Sequence, residues 1–232
     1  MNRLSAEKPL CCLTNPFLRH DAEPLKQAET PKKIMVIGGG VAGLCAAFVT
    51  KERGHEVTLY EAGEKLGGNM RLAAYPPGKG DITNMIRSYI HRCQKDGVEI
   101  KLNHEVTADF IKEETPDSVI LATGSRTPVL PIEGIDHPSI IYGSDLLEGK
   151  RAAGKKVLVV GGGMVGCETA DGEHHEARDY DFVVLSMGYR NYNPLEEQVK
   201  AIIPDTYVIG DAIRVRRAMD VTKEAYDVAS QI

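Results

Sequence analysis

A glycine-rich turn between two apolar runs, within residues 33–61, constrains the fold of this 232-residue chain more than any other feature. The apolar run at 34–37 is typical of a strand that is buried on both faces. Three glycines follow it with the spacing G-x-G-x-x-G: Gly38, Gly40 and Gly43. This spacing alone is weak support for a nucleotide site, so the residues around it decide the interpretation.

The residues after the glycines support a βαβ unit. Small and apolar residues at 41–51 predict a helix, and Gly54 is placed to end it. A second apolar run at 57–60 then ends in Glu61, close to the expected spacing of about 20 residues. Strand, turn, helix, strand and acid together predict a dinucleotide-binding fold rather than a chance glycine-rich turn.

Each of these residues has a physical role in such a fold. Gly38 allows a tight turn, Gly40 allows the backbone to approach a pyrophosphate, and Gly43 allows the helix to pack against the strand. The helix N-terminus presents unpaired N–H groups and a positive dipole to the phosphates. Glu61 is predicted to accept hydrogen bonds from the adenosine ribose hydroxyls.

Composition excludes several other classes of protein. Hydrophobic residues make up 42% and charged residues 26%, as in ordinary globular proteins. The net charge of −5 argues against a nucleic acid partner, and no apolar run approaches the roughly 20 residues of a membrane span. The first residues lack the apolar segment of a signal peptide, and the five cysteines lack framework spacing. We therefore expect a cytoplasmic protein with reduced thiols.

Residues 1–30 are predicted to form an extended arm that contains the pair Cys11 and Cys12. These thiols are either cluster ligands or free thiols in a strap, and two cysteines are too few for an iron–sulfur cluster. We favour free thiols.

The middle of the chain alternates strands, helices and loops. A glycine pair within 65–71 suits a loop that passes a flat ring or a phosphate, and apolar spacing predicts a helix over 82–96. Strands are predicted at 98–102 and 118–124, and proline-rich residues 128–138 are typical of a crossover between domains. We interpret Cys93 as a core residue and both His104 and His137 as surface residues.

A second G-x-G-x-x-G motif follows residues 155–160, which are two lysines and a short apolar run, and contains Gly161, Gly163 and Gly166. A helix is predicted from about residue 164, and the next buried strand is already at 180–188. A strand with a terminal acid is therefore missing, and this segment is shorter than the roughly 50 residues of a small domain. The polar residues 173–176 are interpreted as a solvated loop rather than as a metal cluster.

The last segment combines a short strand at 206–212 with a helix at 218–232. Asp211 is placed either to accept a hydrogen bond from a ligand hydroxyl or to cap the final helix. Three arginines at 214, 216 and 217 form a solvated face or help to hold an anionic cofactor or partner.

Together these pieces resemble the flavoprotein half of the family of 2,4-dienoyl-CoA reductase, enoate reductase and trimethylamine dehydrogenase. Those proteins are old-yellow-enzyme-like oxidoreductases that carry an iron–sulfur cluster. The resemblance covers nearly the whole chain, on residues 36–43, 66–69, 71–74, 76–79, 121–124, 160–168 and 207–211.

The resemblance implies that the first βαβ unit holds FAD. Its cofactor-binding residues would be Gly38, Gly40, Val41, Ala42, Gly43, Glu61, Ala62, Lys65, Gly68, Asn69, Arg71, Val106, Ala122, Thr123, Gly124, Gly210, Asp211, Ala218 and Met219. In this arrangement Val106 offers backbone to the adenine, Asp211 binds the ribityl chain or the pyrophosphate, and Ala218 with Met219 approaches the pyrimidine edge of the flavin. No residue is assigned as catalytic or as a metal ligand.

Two departures from the family matter. Residues 12–16 resemble the segment around the last cluster cysteine, and the barrel that precedes it in the family is absent. The inserted NAD(P)H unit lacks its middle, and the two strands that remain are expected to be neighbours in a βαβ unit.

The sequence therefore predicts an α/β, Rossmann-like FAD-binding domain of the type with two dinucleotide-binding domains. The domain comprises residues 31–127 and 189–232, with an arm at 1–30 and a reduced nucleotide unit at 128–188. We expect an oxidoreductase module that binds FAD and binds NAD(P)H only weakly. Two alternatives stay open: a non-catalytic holder of FAD or ADP, and a subunit that docks on a separate flavin-bearing barrel protein.

Overall fold

The computed structural model describes residues 12–18, 25–162 and 180–232. The strands in these ranges are β1 (Lys33–Ile37), β2 (Glu56–Tyr60), β3 (Glu99–Lys101), β4 (Ser118–Leu121), β5 (Ser125–Arg126), β6 (Ile140–Tyr142), β7 (Val157–Val160), β8 (Phe182–Leu185), β9 (Arg190–Asn191) and β10 (Thr206–Val208). The helices are α1 (Val41–Glu52), α2 (Gly80–Lys95), α3 (Ala108–Glu114), α4 (Gly143–Leu147), α5 (Glu196–Ile202) and α6 (Ala218–Ala229). Two 3₁₀ segments span Gly68–Ala74 and Gly210–Ala212.

The main sheet has five parallel strands in the order β10-β4-β1-β2-β3. Its central strand, β1, pairs with β2 on one side and with β4 on the other. Because side chains alternate along a strand, Ile34 and Val36 belong to one apolar cluster, and Met35 and Ile37 belong to the other. The predicted strand that is buried on both faces is confirmed.

Helices cover both faces of this sheet. On one face, α1 is buried along nearly its whole length, and its small residues Ala46 and Ala47 are fully enclosed. The second face is covered by α3 and α5, through Ile111 and Val199. The predicted end of α1 is also confirmed, since Gly54 adopts the left-handed conformation with φ +96°.

The described part of the N-terminal arm packs on the α1 face. The Phe17 ring lies 6.2 Å from Phe48 and 5.2 Å from Tyr226, measured between centroids. The Arg92 guanidinium lies 4.2 Å from the Phe17 centroid, and the Tyr89 hydroxyl donates to the Leu13 carbonyl at 2.8 Å. Cys12 is a free thiol here, and Cys11 lies outside the described residues. Leu13 and Phe17 are therefore partly buried against the α1-face core.

A second, smaller sheet has three parallel strands in the order β6-β8-β7. The predicted pairing of β7 with β8 is confirmed, whereas β6 and α4 were not predicted. The helix expected from residue 164 and the polar loop at 173–176 lie outside the described residues. The chain passes from the main sheet to the smaller sheet and later returns. The strand β5 lies on the first of these crossings and β9 on the second, and the two pair as an antiparallel ladder.

None of the helices in the described ranges combines the length and the apolar character needed to cross a membrane.

Candidate functional site

The turn after β1 has the shape that its glycines predict. Gly38 has φ +111°, and a Cβ atom on it would lie 2.2 Å from the Ala122 carbonyl oxygen. A Cβ on Gly43 would lie 1.9 Å from the Gly38 carbonyl oxygen. Real Cβ contacts are never this short, so both positions require glycine for the close approach of β1, β4 and α1. The packing role predicted for Gly43 is confirmed.

Gly40 has a different environment from its two neighbours in the motif. Its φ of −72° and ψ of −179° are open to any residue, and a Cβ there would meet nothing within 4 Å. It caps α1 at a helix N-terminus that has neither a side-chain cap nor an acidic residue in the first turn. Leu44 makes the first hydrogen bond of the helix, to the Gly40 carbonyl at 2.9 Å, so the N–H groups before it have no partner within the helix, as at an anion-binding helix start.

A cavity of about 700 Å³ opens above this turn, at the carboxyl ends of the parallel strands. This volume lies in the usual range of roughly 300–1,000 Å³ for ligand pockets. Most of the residues implied by the resemblance line its wall: Gly38, Gly40, Val41, Ala42, Glu61, Ala62, Gly68, Asn69, Val106, Ala122, Thr123, Gly124, Asp211 and Ala218.

Five of the residues that the resemblance implies as cofactor-binding do not line this cavity: Gly43, Lys65, Arg71, Gly210 and Met219. Lys65 is exposed and pairs with Glu64 at 3.0 Å. The Arg71 side chain packs under Gly67, whose Cβ would lie 3.0 Å from the Arg71 Cγ. Gly210 backs the wall, since a Cβ on it would meet the Ala42 Cβ at 2.9 Å.

Glu61 lies at one end of the cavity, immediately after β2. Its carboxylate accepts the Gly39 N–H and the Gly63 N–H, each at 2.7 Å. These bonds tie the end of β2 to the glycine turn and leave further lone pairs on both oxygens. The predicted bond to an adenosine ribose stays a prediction.

A polar strip lines the other end of the cavity. Asn69 donates its amide to the Ser125 carbonyl at 2.9 Å, and the Ser125 hydroxyl donates to Asp211 at 3.2 Å. Helix α6 begins after Arg217 without a side-chain cap, so the alternative that Asp211 caps this helix is wrong. Asp211 is instead part of the cavity wall, and its carboxylate accepts the Arg216 backbone N–H at 3.1 Å.

Sequence reasoning missed several lining residues, and His104 is a correction. We predicted a surface histidine, but its ring is half-buried between Tyr60 and Phe110, with centroid distances of 5.1 and 4.5 Å. It also lines the cavity. Its position just past β3 was the available signal, because ligands bind beyond the carboxyl ends of parallel strands.

The two chain crossings between the sheets form another part of the wall. The Thr123 hydroxyl donates to the Tyr192 carbonyl at 2.6 Å, and the Tyr192 N–H donates to the Gly124 carbonyl at 2.9 Å. The Arg126 guanidinium lies 3.4 Å from the Tyr192 ring centroid. Both chain crossings between the two sheets therefore contribute to the cavity wall.

The second glycine motif repeats the first turn at its start. Gly161 has φ +119°, and a Cβ on it would lie 2.2 Å from the Ser186 carbonyl oxygen. Gly163 and Gly166 lie outside the described residues. Among the described strands β7 pairs only with β8, so it lacks the second neighbour that supplies Glu61 to the first motif.

The buried thiols behave as core groups. Burial, with a smaller contribution from Asp96, raises the pKa of Cys93 to about 12. Burial likewise raises the pKa of Cys45. The Cys93 thiol donates to the Leu44 carbonyl at 3.4 Å, so its interpretation as a core residue is confirmed. Neither thiol is available as a thiolate near neutral pH.

Comparison with known proteins gives a consistent assignment. The family model described as pyridine nucleotide-disulphide oxidoreductase matches residues 32–179. Cinnamate reductase of Clostridium sporogenes is 32% identical over 295 aligned residues, which cover 100% of this chain and 44% of that protein. NADH oxidase of Thermoanaerobacter brockii is 40% identical over 169 residues, which cover 69% of this chain and 26% of that protein.

A solved structure of 2-naphthoyl-CoA reductase with 2-naphthoyl-CoA superposes with a TM-score of 0.88 at 27% identity. It covers 99% of this chain and 44% of that one, so the chain spans less than half the length of these relatives. The alignment with cinnamate reductase is longer than the 232 residues of the chain, so that relative carries residues that are absent here. These findings confirm the predicted fold class and the resemblance, and the chain belongs to the pyridine nucleotide-disulphide oxidoreductase family.

Proposed function

We propose that this chain is the FAD-binding module of an NAD(P)H-linked oxidoreductase. The observation that carries the proposal is the cavity, which crosses the carboxyl ends of the parallel strands with the glycine turn on its wall. Three features suit a dinucleotide. The start of α1 has neither a side-chain cap nor an acidic residue, and the space beside Gly40 is open, as a diphosphate requires. A carboxylate lies at each end of the cavity, Glu61 at one and Asp211 at the other.

The strand order gives the direction in which FAD would lie. Glu61 follows β2 and Asp211 follows β10, on opposite sides of β1. These strands are three spacings of about 4.8 Å apart, roughly 14 Å in total. We place the adenosine at Glu61, His104 and Val106, the diphosphate at Gly40, and the flavin half at Asn69, Asp211 and Ala218.

The redox chemistry in this proposal belongs to the cofactor. FAD supplies a two-electron hydride acceptor, and the chain supplies binding, orientation and electrostatics. By resemblance, electrons would pass from NAD(P)H through FAD to an iron–sulfur cluster and an FMN on a barrel partner. The names of the relatives, NADH oxidase and cinnamate reductase, support a reductive role.

We retain the proposed division into a FAD domain of residues 31–127 and 189–232 and a reduced nucleotide unit at 128–188. The edge position of β7 supports weak NAD(P)H binding, because no described strand supplies a ribose-binding acid there. This observation also favours a second candidate function, in which the cavity holds FAD or ADP without accepting a hydride. A third candidate is a subunit that docks on a separate barrel.

Two measurements test the proposal. Purified chain is incubated with FAD and desalted, and we expect a yellow protein with stoichiometric bound flavin. A chain that binds ADP but no flavin would replace the first candidate with the second. Anaerobic addition of NADH then separates an enzyme, in which the flavin is bleached, from a holder, in which it is not.

A further inference from the structure

Gly210 adopts a left-handed conformation directly before Asp211, and a side chain from outside the turn holds it there. Its φ is +69°, in the left-handed region that favours glycine. Its N–H donates to the Glu224 carboxylate at 2.6 Å. Glu224 lies on α6, so a helix side chain reaches back to the turn that presents Asp211 to the cavity.

Arg216 contacts both Glu224 and Gly210. Its guanidinium donates to the Glu224 carboxylate at 2.5 Å and to the Gly210 carbonyl at 3.2 Å. Its backbone N–H donates to Asp211, and Arg216 is among the residues that line the cavity. The hydrogen bond to Glu224 outweighs burial and raises the pKa of Arg216 above its ordinary value. Three charges, two negative and one positive, are thus joined around one turn.

We propose that Glu224 is a positioning residue for the flavin half of the cofactor site. It holds the Gly210 N–H and the Arg216 guanidinium, and in this way it keeps the Asp211 carboxylate turned to the cavity. This inference rests on the proposed function. Without the Glu224 charge, Arg216 loses its partner beside the cavity and is free to pair with Asp211, which removes the acceptor from the ligand.

A neighbouring ion pair on the same helix provides a contrast. Lys223 and Asp227 form an exposed pair at i and i+4, with side chains 45% and 39% exposed. Neither residue lines the cavity. Exposed pairs of this kind contribute little. The Arg216 and Glu224 side chains are 20% and 24% exposed and bond the backbone of the turn as well as each other.

The test compares FAD with ADP, which lacks the flavin half. The dissociation constants of both ligands are measured by calorimetry for the natural chain, Glu224→Gln, Asp211→Asn, the double variant, and Asp227→Asn as the matched control. For Glu224→Gln we expect FAD to bind about tenfold to a hundredfold more weakly, with ADP within about twofold of the natural chain. Asp227→Asn should leave both constants unchanged.

The double variant separates positioning from general stability. If Glu224 acts through Asp211, the double variant loses no more FAD affinity than Asp211→Asn alone. Equal weakening of FAD and ADP, unchanged FAD binding, or additive losses would each overturn the inference. A natural chain that binds neither ligand would refute the proposed function itself, and the inference with it. Should Glu224→Gln fail to fold, Glu224→Asp, whose carboxylate is one methylene short of Gly210, gives the same comparison.

Discussion

The two glycine turns of this chain have nearly the same local shape and very different surroundings. Gly38 and Gly161 have φ of +111° and +119°, and a Cβ on either would lie 2.2 Å from the carbonyl oxygen of the residue that follows a neighbouring strand. The strand before Gly38 is central and almost fully buried. The strand before Gly161 is at the edge of its described sheet, and Leu158 on it is 36% exposed.

The glycine motif therefore determines the shape of the turn, whereas the residues that follow the neighbouring strands form the rest of the cavity wall. At the first turn, β2 delivers Glu61 and β4 delivers residues 122–124 to the cavity wall. At the second turn the described residues provide β8 alone. We therefore expect substitutions at the first motif to change cofactor binding strongly, while equivalent substitutions at the second change it little.

The largest effect is expected at Gly40. In Gly40→Val the new side chain occupies the opening where the diphosphate would lie, so FAD binding should be abolished. The backbone there suits any residue, so the thermal midpoint should stay close to that of the natural chain. Gly163→Val, the corresponding change in the second motif, is the control. If Gly40→Val still binds FAD, the diphosphate of FAD does not bind at this turn.

The second effect concerns NADH and NADPH at the second motif. Lost ribose hydrogen bonds and lost adenine burial should together cost several kcal/mol, which turns a micromolar site into a millimolar one or weaker. Stopped-flow measurements should show bound flavin reduced quickly by dithionite and slowly by either nucleotide. Rapid reduction that saturates at micromolar nucleotide would mean that the second turn has a complete ribose site.

A smaller effect is expected from Glu61→Ala. Loss of the ribose contact should weaken FAD by about 1.5–3 kcal/mol. FMN, which has no adenosine, should bind no better than before. Glu64→Ala serves as the control, since its side chain is 73% exposed and pairs with Lys65. Equal weakening of FMN would indicate that the bonds of Glu61 to Gly39 and Gly63 matter more than any ribose contact.

The smallest effect is a pH dependence at His55, which distinguishes the two sheets. Burial, with contributions from Arg53 and Lys32, lowers the pKa of His55, and its Nδ1 accepts the Lys32 N–H at 3.1 Å. The unfolded chain therefore takes up this proton more readily than the folded chain. The associated stability is present above the ordinary histidine pKa of about 6.5 and is lost as pH falls below it.

Urea unfolding at several pH values checks this prediction. His55→Gln should flatten the decline below the histidine range, while His91→Gln, on the exposed side of α2, should not. Hydrogen exchange adds the comparison of sheets, because acid should loosen amides of β1 and β2 before those of β7 and β8. If the free energy of unfolding of His55→Gln falls with pH as much as that of the natural chain, other titratable groups cause the decline.

Strong local patterns predicted most of the main sheet. The strands β1, β2 and β4 and the helices α1, α2 and α6 were all located, because their apolar residues repeat over whole elements. Shorter elements were missed: α3 and α5 have seven residues each, and β6 has three. Thr107, which caps α3 by accepting the Phe110 N–H at 3.2 Å, was an available signal.

The sequence by itself determined the first βαβ unit, because spacing, glycine positions and burial all depend on residues within about 30 positions of one another. Only the tertiary structure placed His104, Ser125, Tyr192 and Arg216 on the same cavity wall, and only it joined Glu224 to Gly210. These contacts depend on strand order and on crossings between distant segments. Such long-range pairings leave no local periodicity in the sequence, so they appear only when the sheet is assembled.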